Sequence, residues 1–406
     1  MSRPLGNARL RAARQAAGYR SQQDLADALA DRGLSVSSRQ VRRWESDAPP
    51  LPYLDLQRAL VELLGVTSIE ELGFPSAPTG PDAGRVLRTP PAAPMAVPNA
   101  VQPASAASAF AAVTRAHRRL YWTVAPATLH PAVSAHATLG GALLPATSGV
   151  IRKAVASALA ESWLLAGRIE FFDLNEPGRA RETWLRALQA AGDADDALLG
   201  AAILAHTAFV PGWAGDRAGA SERMAMARTS ARRGPASAEL LAWLDAVEAE
   251  CETRCGNTRA ALNLISRGED ILEAGSEEAS PDWMDWFSAV RLAAFKGNTQ
   301  LRAGHLPQAR ETLLSVLEDL PADADKQRTV VLGDLAAVEA AAGHPEAACD
   351  YSVRALDLLE VHWYATGMER VREVRRELAP WQSEPCVRAL DDRLYSWGAM
   401  LSALAN

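Results

Sequence analysis

Cysteine is scarce: Cys251, Cys255, Cys349 and Cys386 are the four in 406 residues. A disulfide scaffold is therefore excluded, and apolar burial has to hold the fold. Lysine is scarcer still, with Lys153, Lys296 and Lys326 alone, so arginine carries nearly all the positive charge. No clean apolar run is long enough for a bilayer, which takes about 20 residues. The nearest, residues 92–113, is interrupted by Pro94, Pro98 and Pro103 and by polar Asn99 and Gln102, which argues against a membrane helix. Met1-Ser2-Arg3-Pro4 opens without the apolar stretch of an export signal, so a cytoplasmic, reducing compartment is expected. Also missing are Gly-Xaa-Ser-Xaa-Gly, His-Glu-Xaa-Xaa-His and a Gly-Lys-Ser/Thr phosphate loop. Cys251 and Cys255 would share a helix face but have no histidine near them. Asp193, Asp195 and Asp196 begin a calcium-like run in which Leu198 stands where glycine belongs. No catalytic residue, cofactor or metal site is expected, and the chain is not expected to be an enzyme.

What is abundant is alanine, leucine and arginine, in a globular balance of 48% apolar and 22% charged residues. The length exceeds one typical core and favours two or three folding units. A net charge of -7 argues against a protein that coats polyanions along its whole length. That charge is uneven. Residues 1–45 hold nine arginines against Asp24, Asp27, Asp31 and Glu45, whereas residues 46–75 hold Arg58 against five acids. Any polyanionic partner is expected to meet the amino-terminal end.

The expected fold class is all-α. Over residues 1–75, apolar periodicity with start and stop chemistry predicts four helices and a stub. They run from Asn7 to Ala17 before Gly18, from Ser21 to about Gly33, from Ser37 to Glu45 before Pro49-Pro50, from Tyr53 to Leu64 before Gly65, and over a last turn from Ser68 to Gly73. Eight prolines between Pro75 and Pro103, among Ala, Ser and Gly, predict a tether over 76–105 that buries no core. Residues 106–147 read as a helical adaptor, with helices over Ala111–Trp122 and Ala132–Leu144 joined by a turn at Pro126.

From 148 to 406 one turn recurs. Each copy ends in a small residue, at Ala180, Ala220, Ala261, Ala309 and Ala348, and the spacings are 40, 41, 48 and 39. A period of that size with a glycine turn between two helices predicts a solenoid of helical hairpins. Gly297, Gly304, Ala309 and Pro321 fall where a tetratricopeptide repeat has its small, turn, close-packing and terminating residues, so 148–406 resembles a tetratricopeptide-like array. The period is longer than that family's, and its first-helix Trp-Leu-Gly is only loosely kept around Trp163 to Gly167.

The segment Val36-Ser37-Ser38-Arg39-Gln40-Val41-Arg42-Arg43-Trp44-Glu45 puts Val41 and Trp44 on one helix face and Ser38, Arg39, Arg42 and Arg43 on another. The apolar stripe is expected to dock on Leu25 and Leu29, leaving arginine and serine to reach base edges or phosphates in a major groove. Residues 7–74 resemble the five-helix helix-turn-helix regulators of the Xre and phage-repressor type. Ser21-Gln22-Gln23-Asp24-Leu25-Ala26 is similar to that family's second-helix opening, and Val36 to Glu45 to its recognition segment with a Trp-Glu ending. The connection from Ala30 to Ser35 is longer than the family's tight turn. The resemblance implies a double-stranded DNA operator as partner, with Ser38, Arg39 and Arg43 at base edges and Gln22, Ser37 and Arg42 nearer phosphates. It also implies a buried structural ion pair between Arg14 and Glu45.

Head, tether and repeats in this order resemble actinobacterial regulators, which implies a homodimeric transcription regulator of development or secondary metabolism. A concave repeat surface is a place for a peptide or protein effector. Trp283, Asp285 and Trp286 are an acidic, aromatic stretch that would suit a cationic or amphipathic one, although such aromatics also fill seams between helices. A second reading is a protein-interaction scaffold whose helix-turn-helix module does not bind DNA. The salt dependence of binding separates the two.

Overall fold

A computed structural model of the chain describes residues 7–32, 34, 36–46, 49, 52, 54–69, 71–74 and 102–404. The chain divides into two compact units, Met1–Ala96 and Val97–Asn406. Among the described residues the regular elements are all helical, so the fold class is all-α.

The first unit holds α1 (Ala8–Ala16), α2 (Gln22–Ala30), α3 (Ser38–Trp44) and α4 (Leu54–Leu64). Three of their starts are fixed by side chains that satisfy amides a helix end leaves unpaired. Asn7 Oδ1 accepts from the Leu10 amide at 3.2 Å, Ser21 and Asp24 form a reciprocal capping box, and Ser37 Oγ accepts from the Gln40 amide at 3.3 Å. Leu10, Leu25, Leu29, Val41, Trp44 and Leu60 form the centre of one core. The expected stub is a turn over Glu71–Gly73, and most of the expected tether, residues 75–101, lies outside the described residues.

The second unit opens with α5 (Ala104–Leu120) and α6 (Pro126–Leu143). Pro126 is the first residue of α6 rather than a turn, because the first helical position needs no amide hydrogen. Both helices pack on α7 (Gly149–Arg168), and Phe110 and Ala137 share a core with the hairpins that follow. Those are built from α7 with α8 (Pro177–Ala194), α9 (Ala197–Trp213) with α10 (Arg217–Ala231), α11 (Ala238–Arg254) with α12 (Thr258–Ala274), α13 (Ala289–Arg302) with α14 (Leu306–Asp319), and α15 (Asp325–Ala341) with α16 (Pro345–Val361). α17 (Ala365–Glu377) and α18 (Pro385–Leu404) complete the array.

The recurring alanines open the second helix of each hairpin, and Ala180, Ala220, Ala261, Ala309 and Ala348 are all 0–2% exposed. A larger side chain there would hold the paired helix away. Gly304, at the turn before α14, has φ +77°, a left-handed conformation that costs glycine little. In the first hairpin Asn175 takes that conformation at φ +56°, as a short polar side chain can.

α7 runs into a π-helical turn, Ile169–Asp173, and the last hairpins return to it. Lys326 Nζ of α15 lies 2.5 Å from Asp173 Oδ1, with both side chains buried. Trp363 Nε1 donates to the Asp173 carbonyl at 2.9 Å, and Thr366 Oγ1 donates to the Phe172 carbonyl at 3.0 Å. The array therefore closes on itself. Burial pushes the Asp173 carboxyl up and the Lys326 ammonium down, and each is opposed by its partner's charge. Replacing Lys326 by Met strands a buried carboxylate, so Lys326→Met is expected to destabilise the array by about 3–5 kcal/mol, with much of the loss recovered in Lys326→Met/Asp173→Asn. Urea unfolding measures both; a loss below about 1 kcal/mol in the single variant would mean that the pair does not hold the closure.

Candidate functional site

Two places in the chain gather chemistry, one in each unit. In the first, α3 turns Val41 and Trp44 into the core at 0% and 2% exposure. Ser37, Arg39, Arg42 and Arg43 are exposed, and Ser38 is half-buried. The ion pairs of this unit, among the described residues, are Arg11–Glu45, Arg14–Glu45 and Arg32–Glu62, so none engages the α3 arginines.

Among the described residues, the acids Asp24 and Glu45 are occupied. Hydrogen bonds from the Ser21 side chain and amide hold the Asp24 carboxyl below its usual range. Glu45 is buried and accepts from Arg14 Nε at 2.7 Å and from Gln22 Nε2 at 2.7 Å. Burial works to raise the Glu45 carboxyl, but those two hydrogen bonds and the charges of Arg14 and Arg11 outweigh it and hold it down. Arg14 and Glu45 thus join α1 to the end of α3. Gln22, which the resemblance puts nearer phosphate, has its amide on Glu45. What remains outside is a small, basic helix face whose three guanidiniums have no ion-pair partner among the described residues.

In the second unit the first helices of the hairpins line a chamber of about 100 Å³. Its wall is aromatic, with Tyr121, Trp213, Trp243, Trp286, Phe295 and Tyr364. Charged groups are set into it from α7 (Arg168), α11 (Glu250), α13 (Arg291), α15 (Lys326, Asp334) and α17 (Arg370). Both wall carboxylates are paired. Glu250 Oε1 lies 3.5 Å from Arg370 Nη2 and accepts from Arg254 Nε at 2.9 Å. Asp334 Oδ1 lies 3.2 Å from Arg370 Nε and accepts from Asn298 Nδ2 at 3.0 Å.

Of the three residues expected to meet an effector, Trp286 faces this chamber. Trp283 stacks on it at 5.8 Å between ring centroids, and each indole is 7% exposed. Asp285 is drawn to Arg118 Nε at 3.2 Å. The three therefore do not present one open acidic, aromatic surface. Sequence reasoning missed Arg168, Arg291, Lys326 and Arg370. Each is one charged residue among many on its helix, and nothing local names a common wall until the helices are stacked.

Cys251 is buried, and burial pushes its thiol far up, which leaves it inert. Among the described residues no group of three His, Cys, Asp or Glu side chains could hold a metal ion. Nor is any described helix long and apolar enough to cross a membrane. No protein-family model matches the chain, and no curated protein matches it.

His206, on the chamber wall, donates from Nδ1 to the Ala202 carbonyl at 2.8 Å. Burial lowers its pKa to about 3, and the Arg168 charge adds to the shift. The folded chain therefore holds this ring neutral where an unfolded one takes a proton. Its contribution is complete above the unfolded value near 6.5 and is lost as pH falls from there toward 3. Between pH 7 and 5 this single ring should make the array about 2 kcal/mol less stable. In His206→Gln that loss should disappear from the acid dependence of urea unfolding; an unchanged pH response would contradict the assignment.

Proposed function

We propose that the protein is a sequence-specific DNA-binding transcription regulator of the Xre helix-turn-helix type. Residues 1–75 read a duplex operator, and the repeat array dimerises and senses an effector. The observation that carries this reading is the two-sided α3, with Trp44 and Val41 buried and Arg39, Arg42 and Arg43 exposed and, among the described residues, without an ion-pair partner. Arginine bonds bidentately to guanine O6 and N7, which suits Arg39 and Arg43 to base readout. Ser38 reaches the same edges, while Ser37 and Arg42 face phosphates. A dimer of such heads meets half-sites about 34–36 Å apart or at multiples of that spacing. An effector bound better in one dimer geometry then shifts operator occupancy. The compartment that fits this activity is the cytoplasm.

Selection from random duplexes with the full chain defines the operator, and titration of variants against it tests the assignment. Arg39→Ala and Arg43→Ala should each lose about 1–3 kcal/mol of preference for operator over scrambled duplex, while Arg42→Ala weakens both duplexes alike. Unchanged preference in both base-reading variants would remove α3 as the reader.

A further inference from the structure

Arg168 stands apart among the chamber's charges. Its side chain is nine-tenths buried, yet its Nε has no hydrogen-bond partner, and among the described residues no carboxylate pairs with it. The guanidinium sits between two rings, 4.9 Å from the Tyr121 centroid and 4.6 Å from that of Trp286. Stacking on ring faces supports a cation but leaves its in-plane donors unsatisfied. The Trp286 Nε1 donor, on the same wall, is also buried without an acceptor. Arg291, half-buried across the chamber, has no carboxylate partner among the described residues either.

Of the neighbouring acids, Asp173 is held through Oδ1 by Lys326 while its Oδ2 has no hydrogen-bond partner and forms no ion pair with Arg168, and Glu250 and Asp334 are paired with Arg370. A buried guanidinium without an acceptor is costly, and so is a buried indole N–H. We propose that the chamber is a binding site for a small aromatic carboxylic acid, whose carboxylate takes the in-plane donors of Arg168 and the Trp286 N–H while its ring packs among the aromatic wall.

Size, sign and shape agree on this class. One water needs about 10–15 Å³ and the chamber has about 100 Å³, so a small molecule fits and a folded partner does not. The unpaired wall charges are positive, which calls for an anion. Around them the wall is ring-lined, which calls for an apolar body. A planar two-oxygen acid matches the guanidinium fork. This names the effector class of the sensing array and rests on that reading. Its test uses no DNA, so a chain that binds the acid without binding an operator would sink the regulator reading alone.

Calorimetric titration of the full chain with 2-naphthoate and indole-3-carboxylate, with their neutral carboxamides, with tryptamine and with inorganic phosphate makes the comparison. At least one acid should bind saturably, and at least tenfold more tightly than its amide, with tryptamine and phosphate inactive. Arg168→Met should fold with unchanged or higher thermal stability, because it removes an uncompensated buried charge, and should lose at least tenfold in acid affinity. Arg168→Lys, which keeps the charge but not the fork, should bind more weakly than the unsubstituted chain. The proposal is overturned if neither acid binds, if an amide, tryptamine or phosphate binds as well as the acids, or if Arg168→Met keeps full affinity. It is overturned too if Arg168→Met fails to fold, since Arg168 would then be a structural residue.

Discussion

A charge taken out of water must meet an opposite charge or a full set of hydrogen bonds, and this constraint organises both units. Glu45 is buried, and Arg14, Gln22 and Arg11 converge on it. Asp173 is buried, and Lys326 crosses the array to reach it. Asp334 and Glu250 are answered by Arg370. With so much of the local acid consumed, the arginines that remain unpaired acquire meaning. On α3 they lie in water, where being unpaired costs little and leaves them available to phosphates and bases. Arg168 is unpaired inside, where the same condition is costly and calls for an acceptor.

The array makes that second condition possible. Alanine at the start of each second helix lets neighbouring helices approach closely, and the recurrence of the same hairpin builds the wall. The π-helical turn at Ile169–Asp173 interrupts α7 where the last hairpins dock on it, so that backbone carbonyls of Phe172 and Asp173 accept from Thr366 and Trp363. Docking of the last helices on the end of α7 leaves between them a partly open chamber of small-molecule size.

Local signals carried far into the structure. Ser21 with Asp24, Ser37 with the Gln40 amide, and the glycines after α1 and α4 lie where their chemistry placed them, because capping depends on neighbours a few residues away. Ala180 through Ala348 were legible for the same reason, since the turn and the close approach recur in each hairpin. The chamber was not legible. Lys326 meets Asp173 over a separation of 153 residues, and Trp363 meets the same residue over 190. No pattern within a helix encodes such pairs. Trp283, Asp285 and Trp286 drew attention as a contiguous stretch, yet they divide among a packed seam, an ion pair with Arg118 and the chamber wall. The hydrogen bond from the Gln22 amide to the buried Glu45 carboxylate was not legible either, because the two lie 23 residues apart.

The most direct measurement is the salt dependence of duplex binding by the full chain. If the exposed arginines of α3 meet phosphates, the logarithm of the association constant should fall linearly with the logarithm of salt concentration, with a slope near -0.9 for each phosphate neutralised, so a steep line is the predicted result. A flat line would contradict the account, because it would mean that the exposed arginines of α3 serve solubility or a protein partner and that nothing in the amino-terminal unit meets nucleic acid.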